Sequence, residues 1–156
     1  MTSTTHDAEA WPALTQALAD LEAAACDAIV PGELRPWCEA ILPRMEDVSK
    51  LWKRQARHER GTRAQIVADD PALTPRVEAL AEDADALGRT LDELLSRTRS
   101  MRRRDVVEAA GSAEPTESLE QVRRDVLEWI VSLRAHHGEV GTWLREAANR
   151  DRGVRD

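Results

Sequence analysis

Residues 73–99 read LTPRVEALAEDADALGRTLDELLSRTR, and the spacing of their apolar side chains decides the fold class. Leu73, Val77, Leu80, Ala84, Leu87, Leu91 and Leu94 recur every three or four positions. That is the period that lays side chains along one face of an α-helix. Thr74 is suited to cap this helix and Pro75 to its first position, where a missing N–H costs nothing. The stretch predicts a helix from about Thr74 to Arg99.

Working outward, the same period recurs three more times. Trp11, Leu14, Leu18, Leu21, Ala25 and Ala28 predict a helix over about Ala10 to Ile29, closed by Pro31-Gly32. Cys38, Ile41, Met45, Val48 and Trp52 form the stripe of a second helix, from about Leu34 to Ala68. Pro43 lies inside it and predicts a kink or restart, because the ring clashes with the carbonyl four residues back. Past Trp52 the stripe weakens where Lys53, Arg54, Arg57, His58, Glu59 and Arg60 crowd together, and Gly61 suggests a local break. Ile66 and Val67 resume the pattern before Asp69-Asp70-Pro71 ends it.

A loop is expected over about 105–117, centred on Gly111-Ser112-Ala113-Glu114-Pro115. The last helix begins near Ser118, whose spacing to Gln121 is that of a capping box. Leu119, Val122, Val126, Ile130, Leu133, Val140, Leu144 and Ala147 make its stripe, and the charged tail from Arg150 should fray. Four amphipathic helices joined by shorter connections bury their stripes together, which predicts an all-α, up-and-down four-helix bundle. One domain should span residues 1–156, with an ordered core over about 10–148 and Trp11, Leu21, Val48, Leu80, Leu87, Leu133 and Val140 in a common interior.

Composition agrees with a small helical domain. The chain has 156 residues, 42% hydrophobic and 33% charged, with no Tyr or Phe. Its net charge of −7 opposes general binding to nucleic acid, which rests on neutralising phosphates. The cluster Arg97 to Arg104 reads as a solvated helix end. The polar N-terminus shows no secretory pattern, no apolar run reaches membrane-spanning length, and Cys26 and Cys38 lack metal spacing. A cytoplasmic, soluble protein is expected.

Four histidines are candidates for chemistry. His6 lies in the polar start, and His58 in the charged stretch of the second helix, where it reads as a surface residue. His136 and His137 fall near the inward stripe set by Leu133 and Val140, with His137 expected nearer its centre. There they are core residues, metal ligands or a pH-sensitive element. No nucleophile–base constellation, Gly-rich phosphate loop or zinc motif is present in the sequence.

The stretch Leu133-Arg134-Ala135-His136-His137-Gly138-Glu139, continued by Trp143-Leu144-Arg145-Glu146-Ala147 and Asp151-Arg152-Gly153, resembles the last helix of bacterial hemerythrin-like domains. Gly61, Asp70-Pro71-Ala72-Leu73 and Val77 to Asp83 resemble the middle of the same family, so the likeness covers most of the chain. The resemblance implies two irons held between four helices by histidines and carboxylates at i, i+4 spacing. Carried across, the first-helix histidine falls on Trp11. The second-helix pair falls on Lys53 and Arg57, or with a shift of one residue on Trp52 and Ala56. The third-helix Glu-His pair becomes Glu82-Asp83, and in the fourth His136 is kept while its carboxylate becomes Val140.

Trp11, Lys53, Arg57, Asp83, His136, His137 and Val140 therefore make a vestigial core site. Asp83 is expected to pair with Lys53, Arg57 or His136. The functional expectation is a non-enzymatic, cofactor-free binding or regulatory module with an unknown protein or small-molecule partner, neither nucleic acid nor membrane. The alternative is an iron protein that binds oxygen or oxidises a substrate through a reduced or rebuilt set drawn from His58, His136, His137 and Asp83.

Overall fold

Each apolar stripe folds as the helix its period calls for. The computed structural model describes residues 10–27, 34–108 and 116–153. Four helices are present: α1 (Ala10–Cys26), α2 (Leu34–Asp69), α3 (Thr74–Glu108) and α4 (Thr116–Gly153). No strand occurs among the described residues, so the all-α class holds. No described helix is long and apolar enough to cross a membrane. His6, Ala28, Pro31-Gly32 and Gly111 to Pro115 lie outside the described residues.

The α2–α3 connection is built by Asp70. Its side chain accepts a 3.1 Å hydrogen bond from Ala72 N–H, opening the 3₁₀ turn Pro71–Leu73, and its own N–H donates to Ile66 O at 2.8 Å. Thr74, already helical in backbone as the first residue of α3, donates its Oγ1 back to Pro71 O at 2.7 Å and so ties α3 to the turn instead of capping it. The Asp-Pro pair thus ends one helix and the Thr-Pro pair begins the next.

Several boundaries differ from the sequence reading. α2 runs without interruption through both Pro43 and Gly61. Pro43 is exposed, while Ile41, Leu42, Met45 and Val48 beside it are buried. Burying those side chains at about 1.5–3 kcal/mol each outweighs the roughly 3 kcal/mol of a helical proline. Gly61, also exposed, costs only about 1 kcal/mol relative to Ala, too little to end a packed helix. α3 continues over Asp105–Glu108 because nothing there breaks a helix before Gly111. α4 starts at Thr116, so Ser118 lies inside the helix and is not its cap, and the backbone stays helical to Gly153.

α1 packs on α2, α2 on α3, α3 on α4 and α4 back on α1. Ion pairs fix the direction: Arg99–Glu46, Lys53–Asp92 and Arg60–Asp85 descend α3 as they ascend α2, so these helices are antiparallel. Arg97–Asp125, the Trp129 Nε1 bond to Leu87 O and Arg76–Glu139 do the same for α3 and α4.

The interior is two clusters rather than the single one expected. The larger holds Leu14, Leu18, Leu21, Ile41, Met45, Val48, Trp52, Leu91, Ile130 and Leu133, with Trp11 and Leu87 half-buried against it. The smaller holds Leu80, Val140 and Trp143, flanked by Ile66, Leu73, Val77 and Leu144. Along α2 the residues between the clusters include buried Gln55, Glu59 and Arg63, and along α4 buried His136. A polar layer interrupts the core, and the candidate site is that layer.

A buried polar layer as the candidate functional site

The α2 stripe does not stop at Trp52. It continues at the same spacing through Gln55, Glu59 and Arg63 to Ile66, with polar side chains in core positions. Opposite them, α4 presents Leu133, His136 and Val140, all buried. Glu59, Arg63 and His136 are only 4%, 5% and 6% exposed, which for ionisable groups demands partners.

Gln55 Nε2 donates to Glu59 Oε1 at 3.0 Å. Glu59 Oε2 lies 3.6 Å from both Arg63 Nη1 and His136 Nε2, separations of ion pairs rather than of hydrogen bonds. Glu59 Oε2, Arg63 Nη1, both His136 ring nitrogens and His137 Nδ1 are buried with no hydrogen-bond partner in the protein. So many unmatched groups in one layer mark a place where the chain departs from packing for stability alone. Two tryptophans wall it. Trp52 meets His136 edge-on at 6.0 Å, and Trp11 stacks on His137 with ring centroids 3.2 Å apart.

Burial pushes the Glu59 carboxyl up. The facing His136 imidazole, the Gln55 amide bond and the Arg63 charge together outweigh it and hold the carboxyl below its ordinary range. His137 moves down, chiefly because burial penalises its charged form. The Glu59 charge opposes that shift and His136 adds to it.

A cleft of about 150 Å³ opens beside this layer between α2 and α4. Its lining includes Glu59, Arg63, His137, Val140, Gly141 and Leu144, with Gln55 and His58 also on its wall. A larger groove of about 260 Å³ runs between α3 and α4. Several of its polar groups are engaged within the protein: Arg97 with Asp125 at 2.6 Å, Trp129 Nε1 with Leu87 O at 2.9 Å, and the Thr90 and Ser132 hydroxyls with backbone carbonyls.

The anticipated residues divide. Trp11, His136, His137 and Val140 gather at the polar layer: Trp11 stacks on His137, His136 is its buried histidine, and Val140 shares the cleft wall with His137. His136 is the more buried histidine, contrary to expectation, because the buried face of α4 runs through Trp129, Leu133, His136, Val140 and Trp143, while His137 and Leu144 lie at its half-buried edge. Lys53 and Arg57 are on the outer face of α2, where Lys53 bonds Asp92 at 3.1 Å and Arg57 Nε donates to the Lys53 carbonyl. The register shifted by one residue points inward: Trp52 is buried and Ala56 half-buried against the core. Glu82 and Asp83 are exposed, since Leu80 and Ala84 take the inward positions of α3. The anticipated pairing of Asp83 with Lys53, Arg57 or His136 is not found among the described contacts. The internal ion pair is instead Glu59 with Arg63. His58 is exposed and lines the cleft together with His137.

The chain matches no family model, no curated protein and no solved structure.

The donor set implied by the resemblance can be compared directly with these side chains. His136 faces one carboxylate, Glu59, and that carboxylate also faces the Arg63 guanidinium. Among the described residues no three His, Cys, Asp or Glu side chains are placed to hold a metal ion. Two imidazoles, His136 and His137, one carboxylate and a fixed cation do not fit a two-iron centre, which needs several donors per metal and no competing positive charge.

Proposed function

We propose that this chain is a hemerythrin-like, up-and-down helical bundle that does without a metal and serves as a non-catalytic binding or regulatory module in the cytoplasm. The observation that carries the reading is Arg63 beside Glu59, facing His136 in the polar layer. A guanidinium supplies from within the chain the positive charge that a buried carboxylate requires. The cleft against this layer gives a small-molecule partner a place to bind, and a protein partner is the other occupant of such a module.

A second reading, an iron protein with a reduced ligand set, draws on the 3.6 Å approach of Glu59 to His136, two side chains of metal-ligating type. Elemental analysis of protein purified without chelators separates the two. The module reading expects iron far below one atom per chain, whereas iron near two atoms per chain would remove it.

A further inference from the structure

We infer that the cleft between α2 and α4 binds a small, neutral ring compound carrying one hydroxyl group, of which phenol is the simplest. The inference rests on the binding-module reading and adds the chemical class of the ligand.

Size sets the first limit. A cavity of about 150 Å³ holds a single six-membered ring such as benzene, and the cleft has that volume. Gly141 leaves the room: a Cβ placed there would meet nothing within 4 Å. Val140 and Leu144 give the ring an apolar wall.

The chemistry of the opposite wall sets the second limit. Glu59, Arg63 and His137 each keep a buried polar atom without a protein partner: an acceptor, Oε2; a donor, Nη1; and a ring nitrogen, Nδ1. A hydroxyl is the smallest group that answers both kinds, donating to Glu59 Oε2 while accepting from Arg63 Nη1. A carboxylate only accepts, and it would stand against the Glu59 carboxylate. An ammonium only donates, and it would stand against Arg63. A plain hydrocarbon leaves every one of these groups unmatched. All three atoms are shut off from solvent, so the hydroxyl reaches them on a turn of the Arg63 side chain, whose contact to Glu59 is an ion pair of 3.6 Å rather than a short hydrogen bond.

The test titrates the full chain with phenol, benzene and benzoate in turn, following amide shifts by NMR. Phenol is expected to move the Gly141 amide and its neighbours and to bind at least about tenfold more tightly than either benzene or benzoate, the effect of one net hydrogen bond. Gly141→Leu should fill the cleft and abolish these shifts. Glu59→Gln, which keeps the shape, should shrink the preference for phenol over benzene to under about threefold. If circular dichroism shows Gly141→Leu unfolded, the Glu59→Gln comparison carries the test. Benzene binding as well as phenol, benzoate binding better, shifts centred on Trp129 in the other groove, or no shifts with any probe would each overturn the inference. None of these outcomes touches the metal-free reading, which fails separately if the purified chain carries iron.

Discussion

Glu59 of α2 and His136 of α4 face one another across the interior, with Oε2 and Nε2 3.6 Å apart, in a layer that divides the apolar core in two. Arg63 approaches the same oxygen at the same distance. Groups this buried depend on one another, and the first expectation follows from that dependence. Arg63→Met alone leaves a buried carboxylate short of a cation and should cost about 3–5 kcal/mol, while the double variant Glu59→Leu/Arg63→Met should recover most of that loss. Urea unfolding of the two single variants and the double variant measures the coupling. Additive losses would mean the two side chains act independently.

Acid should weaken the fold in two steps. Both Glu59 and His137 have folded pKa values below their ordinary ones of 4.5 and 6.5. In the window just below each ordinary value, the unfolded chain therefore binds more protons than the folded one, so stability rises with pH there and is lost as pH falls. The upper step belongs to His137, which shares its surroundings with Glu59, His136, Trp11, His58 and Arg63. The lower step belongs to Glu59, with the Glu22 carboxyl, held down by its hydrogen bond to Arg134 on the surface, adding to it. Melting temperature followed from neutral pH downward should begin to fall below about 6.5 and fall again below about 4.5. His137→Phe, which preserves a ring against Trp11, should remove the upper step only.

The unbroken course of α2 makes Gly61 and Pro43 improvable. Gly61 is exposed, and a Cβ there would meet nothing within 4 Å. Gly61→Ala should thus stabilise by about 0.5–1 kcal/mol. Pro43→Ala restores a helical N–H and should also stabilise, by roughly 1–2 kcal/mol once the looser unfolded chain is counted. Thermal unfolding reads both, and a loss at either position would mean the helix depends on a bend there.

The outward residues of the anticipated site should be nearly silent. Lys53→Ala, Arg57→Ala and Asp83→Ala each remove a solvated side chain and should change stability by no more than roughly 0.5 kcal/mol. His136→Ala, in the buried layer, should cost clearly more under the same chemical denaturation. A large effect of Asp83→Ala would restore it to the site.

The fold was legible because its core stripes are apolar. Leu14, Leu18 and Leu21, Ile41, Met45 and Val48, and Ile130 and Leu133 all sit where the helical period put them. The site was only half legible. His136 could be found because it interrupts an apolar stripe. Glu59 and Arg63 could not be singled out so readily, because charged residues beside Lys53, Arg57 and Arg60 look like a solvated face. The signal was present nonetheless: stepping three and four residues on from Trp52 gives Gln55, Glu59, Arg63 and Ile66, and the stripe never breaks. Gly61, and the restart admitted at Pro43, misled for the opposite reason. Their local penalties are real but smaller than the packing of the residues around them.

The central claim is that an internal cation occupies the role of a metal, and its most direct test is thermal melting of the chain with EDTA, with ferrous iron and with neither. A ligand that binds only the folded state raises its melting temperature. The account predicts the same melting temperature in all three conditions. An iron-dependent rise that disappears in His136→Ala would contradict it.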